Sequence, residues 1–515
     1  MARPNAREWG IPAALALVAL VARCIRWGQT AAMMNDGPEF IRLAQAFAAG
    51  DWRTPLSHPY HPLYPAAVSV AHGLIPDWER AAVAVSVLAG AAAVWAVWAL
   101  VRQGFPGRWE AAIAAFLLAV QPVAIELADV QSDALYLCLF VASAAALLRG
   151  YLRESSRAAA WAGLFAGLAY LTRPEGVGTV LVGLGLAGFH ALRGEWPVAR
   201  AVRLAAPLCV VAGLVMAPYV AYISLQAGRP TLTAKKSVTH MLGVSKEGAR
   251  PAPAIDALLA AHPELTPLPP GVHPFRDTAP PQGAATLSFA TKQVVSETSK
   301  ALRPEGMLLL ALGIWLAWGP LSRRGWFFAA YSALYLVVVF ALAATSDYLS
   351  RRHVLPPVTL LLGYEALGVQ AAAGWLRRAP PLARPLARAP AALLLAVAAL
   401  GLGKSLRPDR LDALPERRAA EWVRLEGGLG ADQAVASIKR RVGYYAGARF
   451  VDLRQAPHPA LVLEYLRRER VRYVIVDARE REELLQMTHA EPDAFALRHH
   501  EALHKDEAFV LELRS

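Results

Sequence analysis

The chain has 515 residues, of which 56% are hydrophobic and 18% charged, and its mean hydropathy is +0.33. Soluble domains carry about 25% charged residues, so the composition excludes a disordered chain and argues against a water-soluble enzyme. The formal net charge of +13 comes from 53 Lys and Arg against 40 Asp and Glu, and the cations lie largely between apolar runs, where membrane topology accounts for them and no nucleic acid is expected. Cys24, Cys138 and Cys209 fall inside apolar stretches and give neither a metal spacing nor a disulfide framework.

About eleven apolar runs approach the ~20 residues that a helix needs to cross a bilayer. In chain order they are Ile11–Trp27, Arg80–Val101, Trp109–Ala128, Ala134–Leu148, Ala158–Leu171, Gly176–Ala191, Leu204–Ser224, Gly306–Gly319, Trp326–Ala344, Val354–Gly374 and Ala391–Leu406. Arg3 and Arg7 precede the first, and Arg23 and Arg26 close it where a cleaved signal would show small residues, so it reads as an uncleaved anchor. A cytoplasmic N-terminus then requires alternate connections to be basic. They are: Arg102 and Arg108; Arg149, Arg153 and Arg157; Arg193, Arg200 and Arg203; Arg323 and Arg324; Arg377, Arg378, Arg384 and Arg388. The expected location is the bacterial cytoplasmic (inner) membrane, crossed many times.

The same alternation puts Gly28–His61, Leu127–Asp133, Thr172–Glu175, Gln226–Leu302 and Thr345–His353 outside. The expected fold class is mainly α, a polytopic membrane helical bundle, with a small C-terminal α/β domain. Residues 1–406 form the membrane module, with outer loops at 28–65 (carrying an interfacial helix) and 226–302 (rich in proline). Residues 407–515 form an extracytoplasmic domain, with strands at Ala434–Ile438, Phe450–Leu453 and Tyr473–Asp477. Helices are expected at Arg417–Leu425 and Pro459–Arg468, and a closing hairpin over Ala494–Arg498 and Ala508–Leu513.

The chemistry-bearing residues gather in the outer segments. Asp36 follows the first run and precedes a Gly37-Pro38 turn and an amphipathic helix with Ile41, Leu43, Ala44 and Phe47 on one side. It is either the cap of that helix or a working acid at the interface. Glu39 suits the helix N-terminus. His58 and His61 are three apart but flanked by prolines, with only Asp51 or His72 as a further ligand, so no metal site is assigned. Asp133 either caps the fourth run or serves a site, and Arg173 either snorkels or binds an anion. Arg351 and Arg352 break the basic-inside pattern. The string Arg173-Pro174-Glu175-Gly176 recurs at Arg303–Gly306, which suggests a helix-boundary preference. Lys235 and Lys236 follow the seventh run and suit either a donor phosphate or, more simply, lipid head groups. No glycine-rich phosphate loop is present.

Three stretches join the first loop in a pattern. They are Val130-Gln131-Ser132-Asp133-Ala134-Leu135-Tyr136, Leu168-Ala169-Tyr170-Leu171-Thr172-Arg173-Pro174-Glu175-Gly176, and Tyr348-Leu349-Ser350-Arg351-Arg352-His353-Val354-Leu355-Pro356. With Asp36 and the segment His58-Pro59-Tyr60-His61-Pro62-Leu63-Tyr64-Pro65, their order resembles the GT-C superfamily of polytopic glycosyltransferases. The closer likeness is to the bacterial branch related to protein O-mannosyltransferases and lipid A aminoarabinose transferases. That resemblance implies a sugar donor on a polyprenyl phosphate and an extracytoplasmic acceptor in the envelope (glycan, lipid or protein), with membrane lipid around the protein. It implies Asp36 as general base and Asp133 as second acid. Arg173, Arg351 and Arg352 become phosphate ligands, and Glu39, His58, His61 and Tyr64 substrate-lining residues. The family often shows two adjacent acids after its first span; here Gly37 follows Asp36 and the next acid is Glu39. A positioned base contributes ~10²–10⁴-fold in rate, and arginine forks match phosphate oxygens. No cofactor is required, although a divalent metal is compatible. The alternatives are a transporter or flippase of lipid-linked sugars, which would show internal repeats and broken mid-membrane helices, and a non-catalytic glycan-binding membrane protein.

Overall fold

The computed structural model describes residues 6–234, 261–262, 287–318, 322–346, 349–378, 396, 398–399, 401–403, 405–430, 432–456, 458–477 and 492–514. Lys235, Lys236 and most of the proline-rich loop lie outside the described residues, as do Arg384, Arg388 and the greater part of the eleventh apolar run. The chain divides into two compact units, the first made of Met1–Gly28, Phe40–Val244 and Ala284–Arg407, the second of Gln29–Glu39, Ser245–Gly283 and Pro408–Ser515.

The helices, numbered along the chain, are α1 (Ala6–Gly28), α2 (Gly37–Ala48), α3 (Arg53–Ser57), α4 (Leu63–His72), α5 (Trp78–Gly104), α6 (Arg108–Val120), α7 (Pro122–Glu126), α8 (Asp133–Arg153), α9 (Ser156–Thr172), α10 (Gly178–Leu192), α11 (Val198–Ala227), α12 (Leu287–Leu316), α13 (Arg323–Ser346) and α14 (Arg351–Arg378). Among the described residues, seven stretches are long and apolar enough to cross a membrane: Trp9–Gly28, Trp78–Gly104, Asp133–Arg153, Pro174–Leu192, Val198–Ala227, Arg323–Ala344 and Arg351–Trp375. The run expected over Trp109–Ala128 is broken. Gln121 ends α6, and its side chain accepts from the Ala124 amide at 2.6 Å to start α7, whose Pro122 has no N–H to continue the earlier helix. The run at Ala158–Leu171 forms α9, 17 residues long, and the run from Gly306 is the second half of a kinked α12.

Small residues let the first unit's helices pack closely, as membrane helices do in the absence of a hydrophobic drive between them. α5 buries Ala81, Ala82, Gly90, Ala93 and Val97. Arg23 of α1, 1% exposed, fills the space at Gly90, where a Cβ would overlap its Nε. Between α12 and α14 the backbones themselves meet, since a Cβ at Gly313 would overlap the Tyr364 carbonyl and one at Gly368 the Leu309 carbonyl.

The second unit holds a five-stranded sheet in the order β2-β1-β3-β5-β4, with β1 (Ala434–Ser437), β2 (Arg449–Asp452), β3 (Val471–Asp477), β4 (Phe495–Leu503) and β5 (Asp506–Leu513). β1 pairs in parallel with β2 and β3, and β5 runs antiparallel to β3 and β4. Its helices α15 (Leu414–Leu425), α16 (Arg440–Ala446) and α17 (Val462–Arg468) are short. Ala434, Ala436, Val451, Leu466, Val474 and Val476 form the core, from the buried positions that marked these stretches as strands. Residues 29–39 belong to this unit through backbone and side-chain bonds. The Ala31 amide donates to the Asp409 carbonyl at 3.0 Å, Arg410 and Arg417 donate to the Ala32 and Ala31 carbonyls at 2.8 and 2.9 Å, and the Met33 amide donates to the Tyr445 hydroxyl at 2.9 Å.

Candidate functional site

In the first unit, the ends of α8, α9 and α14 bring four charged side chains together. The approach to α8 is buried and polar: Asp129, Gln131, Ser132 and Asp133 are each under a tenth exposed. Arg173 ends α9 in an extended conformation (φ −152°, ψ 140°), as a residue before proline should, and Pro174 opens a tight 3₁₀ turn to Val177. That turn folds back on α9 so closely that a Cβ on Gly176 would overlap the Tyr170 amide. The arginine is therefore aimed by the Pro-Glu-Gly that follows it.

Its guanidinium donates to the Asp133 carboxylate and sits 3.3 Å from Glu175. Arg352, in the first turn of α14, donates to the Gln131 side-chain oxygen at 3.3 Å and lies 3.9 Å from the other Asp133 oxygen. Arg351 turns elsewhere and pairs with Glu126 at 2.8 Å. The Tyr335 hydroxyl donates to the Glu175 carbonyl at 2.9 Å and lies 3.3 Å from the Tyr136 hydroxyl. The His353 ring nitrogen accepts from the Ser350 amide at 3.2 Å. A cavity of about 30 Å³ opens among Asp133, Tyr136, Arg173, Glu175, Arg352 and His353. Two acids balance two guanidiniums on its wall. An ion network at this depth adds little to stability once desolvation is counted, while it presents fixed donors in a low-dielectric space where developing negative charge is stabilised most.

The other expected residues fall in separate places. Asp36 lies in the segment carried by the second unit. It is half-buried, its carbonyl accepts from the Glu39 amide at 3.2 Å, and its carboxylate bonds to no described residue, so it does not cap α2. Glu39 lies 3.6 Å from Arg440 of the same unit. In the first unit His58 accepts from the Tyr60 amide at 3.0 Å. His61 is 3% exposed, with one ring nitrogen 2.6 Å from the Tyr170 carbonyl and the other 3.0 Å from the Thr233 hydroxyl. The Tyr64 hydroxyl donates to the Ala82 carbonyl at 3.0 Å. Asp51 accepts from the Thr54 amide at 3.1 Å, and its bonds to Thr54 hold its carboxyl below the usual range. Among the described residues no group of three His, Cys, Asp or Glu is placed to hold a metal.

The sequence assigns no chemistry to Glu175, Gln131, Tyr136, Tyr335 and His353, although all but Tyr335 lie in the quoted motifs. Glu175 was visible through its spacing from Arg173. Tyr335 sits inside an apolar run, and only the fold brings its hydroxyl to the charged cluster.

Residues 57–223, which include Asp133 and Arg173, match the family model described as dolichyl-phosphate-mannose-protein mannosyltransferase. The fold is similar to that of ArnT from Cupriavidus metallidurans. The apo form gives a TM-score of 0.61 at 13% identity over 98% of both chains; the form bound to undecaprenyl phosphate gives 0.60 at 14% with the same coverage. It is also similar to the oligosaccharyltransferase AglB from Archaeoglobus fulgidus in complex with an inhibitory peptide and a dolichol-phosphate, with a TM-score of 0.59 at 15% identity over 92% of this chain and 69% of that one. No curated protein sequence matches significantly. The structural likenesses establish the fold, and the family match covers the segment that carries Asp133, Arg173 and Glu175 of the charged cluster. The chain thus shares its fold with ArnT and AglB, and residues 57–223 carry the sequence signature of the mannosyltransferase family model.

Proposed function

We propose that the protein moves a sugar from a polyprenyl-phosphate donor to an acceptor hydroxyl in the bacterial envelope, on the outer side of the inner membrane. The Asp133–Arg173–Glu175–Arg352 cluster facing its cavity carries this reading. It offers two oriented guanidiniums to a phosphate, and the similar ArnT and AglB structures hold polyprenyl phosphates.

In the proposed reaction Asp36 takes the acceptor's proton, and the acceptor oxygen attacks the anomeric carbon from the face opposite the phosphate. The bond from that carbon to the phosphate oxygen breaks with inversion, and polyprenyl phosphate leaves with the electron pair. Arg173 and Arg352 stabilise that leaving charge; Asp133 and Glu175 keep Arg173 in place. Of the adjacent arginines we assign the phosphate to Arg352, because Arg351 is engaged by Glu126. His61 and Tyr64 hold the first outer segment through their buried bonds. In this reading residues 407–515 lie outside, which the alternation of basic connections supports.

Mass spectrometry of envelope glycoconjugates tests the reading in cells lacking the protein and complemented with wild type or Asp36→Asn. A sugar mass should vanish and return only with wild type, the variant falling by about 10²–10⁴-fold in rate. Full rescue by Asp36→Asn would remove the base assignment.

A further inference from the structure

The second Arg-Pro-Glu-Gly string has a cavity of its own. α12 carries Arg303 at φ 62°, ψ 159°, inside a helix that otherwise continues. Residues other than glycine enter that region at a cost of order 1–3 kcal/mol. The kink opens a space of about 40 Å³ between α12, the break after Val120 and α14. Gln121, Arg303, Glu305 and Glu365 border it among aliphatic side chains such as Leu117 and Leu362.

The polar groups here differ in how far they are satisfied. Gln121 uses its side-chain nitrogen on the Ala301 carbonyl at 2.6 Å and its oxygen on Ala124. Glu305 forms an ion pair with the Arg303 Nε at 2.6 Å, and both Arg303 Nη1 and Glu305 Oε1 are buried with no hydrogen-bond partner among the described residues. Glu365, on α14 and 6% exposed, makes no hydrogen bond or ion pair to a described residue. Its carboxylate lies over Gly306, where an added Cβ would come within 3.2 Å. An ionisable group left so within a membrane helix is costly and marks a function more often than not.

A fitting ligand offers an acceptor to Arg303 and, beside it, a cationic N–H donor to Glu365. One guanidinium against two carboxylates disfavours a plain phosphate anion. Among the described residues no aromatic ring borders the cavity, which gives a sugar no face to stack on there. We propose that this cavity binds the head group of a zwitterionic phosphoethanolamine-type membrane phospholipid, its phosphate on Arg303 and its ammonium on Glu365. The aliphatic wall receives the first methylenes of the lipid. This site is separate from the donor cluster and does not rest on the proposed transfer reaction.

The test is a native mass spectrometry titration of the full-length protein in detergent with phosphatidylethanolamine, phosphatidylcholine and phosphatidylglycerol of matched chains. Phosphatidylethanolamine should bind tightest, because phosphatidylcholine has no N–H and phosphatidylglycerol no cation. Glu365→Gln, which keeps the side chain's shape, should weaken phosphatidylethanolamine about tenfold, or about 1.4 kcal/mol, and abolish the preference; Arg303→Lys should lose a smaller factor. Equal binding of phosphatidylglycerol and phosphatidylethanolamine by wild type would overturn the proposal, as would unchanged selectivity in Glu365→Gln. If Glu365→Gln fails to fold, the Arg303→Lys titration and the wild-type head-group order decide alone.

Discussion

The same four residues, Arg-Pro-Glu-Gly, begin at Arg173 and at Arg303, and the structure uses them differently. At Arg173 the helix has ended, the backbone is extended, and the guanidinium reaches the Asp133 carboxylate on another helix. At Arg303 the helix continues after a kink, the backbone is at positive φ, and among the described residues the arginine pairs only with the glutamate two residues on. A short string therefore fixes the local turn, and the neighbouring helices decide what its charges meet. At Arg173 they supply an acid and a second arginine. At Arg303 they supply the buried Glu365.

The largest expected difference between the copies is catalytic. Arg173→Ala should lower kcat/KM by about 10²–10³-fold, the scale of one lost transition-state donor. The same change would leave Asp133 buried with only the more distant Arg352 as its ion-pair partner, so a thermal unfolding scan must accompany the kinetics. If activity survived Arg173→Ala, the comparison would break, because the first copy would then be as structural as its sequence alone suggested.

A smaller contrast lies in the glycines. Gly176→Ala places a Cβ against the α9 backbone and should cost about 1–3 kcal/mol. Gly306→Ala meets the end of the Glu365 side chain, which can swing aside, and makes ordinary contact with the Leu302 Cβ, so it should cost under about 1 kcal/mol. Chemical denaturation of the two variants side by side would sharpen the comparison, and equal losses would refute it.

The smallest effect has the opposite sign. Arg303→Gly relieves the positive φ and should raise the unfolding midpoint in lipid-free detergent by the equivalent of about 1 kcal/mol. Gly at position 173, where the backbone is an ordinary extended one, relieves nothing and should lower it.

Much of this fold could be read from the sequence, because its signals are local. Apolar length gives the long helices, and buried four- and five-residue stretches between turns give β1, β2 and β3. Charge alternation picked out the ends of α8, α9 and α14, where Asp133, Arg173 and Arg352 meet. What escaped depends on contacts between distant residues. The segment holding Asp36 followed the first span in sequence, yet Asp409, Arg410, Arg417 and Tyr445 bind it into the second unit. The break at Gln121–Pro122 was hidden in an apolar run because a glutamine cap and one proline barely change hydropathy. Glu365 and Tyr335 gave no signal, since a single polar group in a span shows its purpose only once its neighbours are placed.

The most direct measurement of the central claim follows polyprenyl phosphate itself. Purified protein would be given a polyprenyl-phosphate sugar labelled in both parts, together with an envelope extract as acceptor. The account predicts one polyprenyl phosphate released for each sugar transferred, inverted configuration at the new linkage, and loss of both signals together in Arg173→Ala. Sugar transfer from a nucleotide donor without the lipid, or transfer with retained configuration, would contradict it.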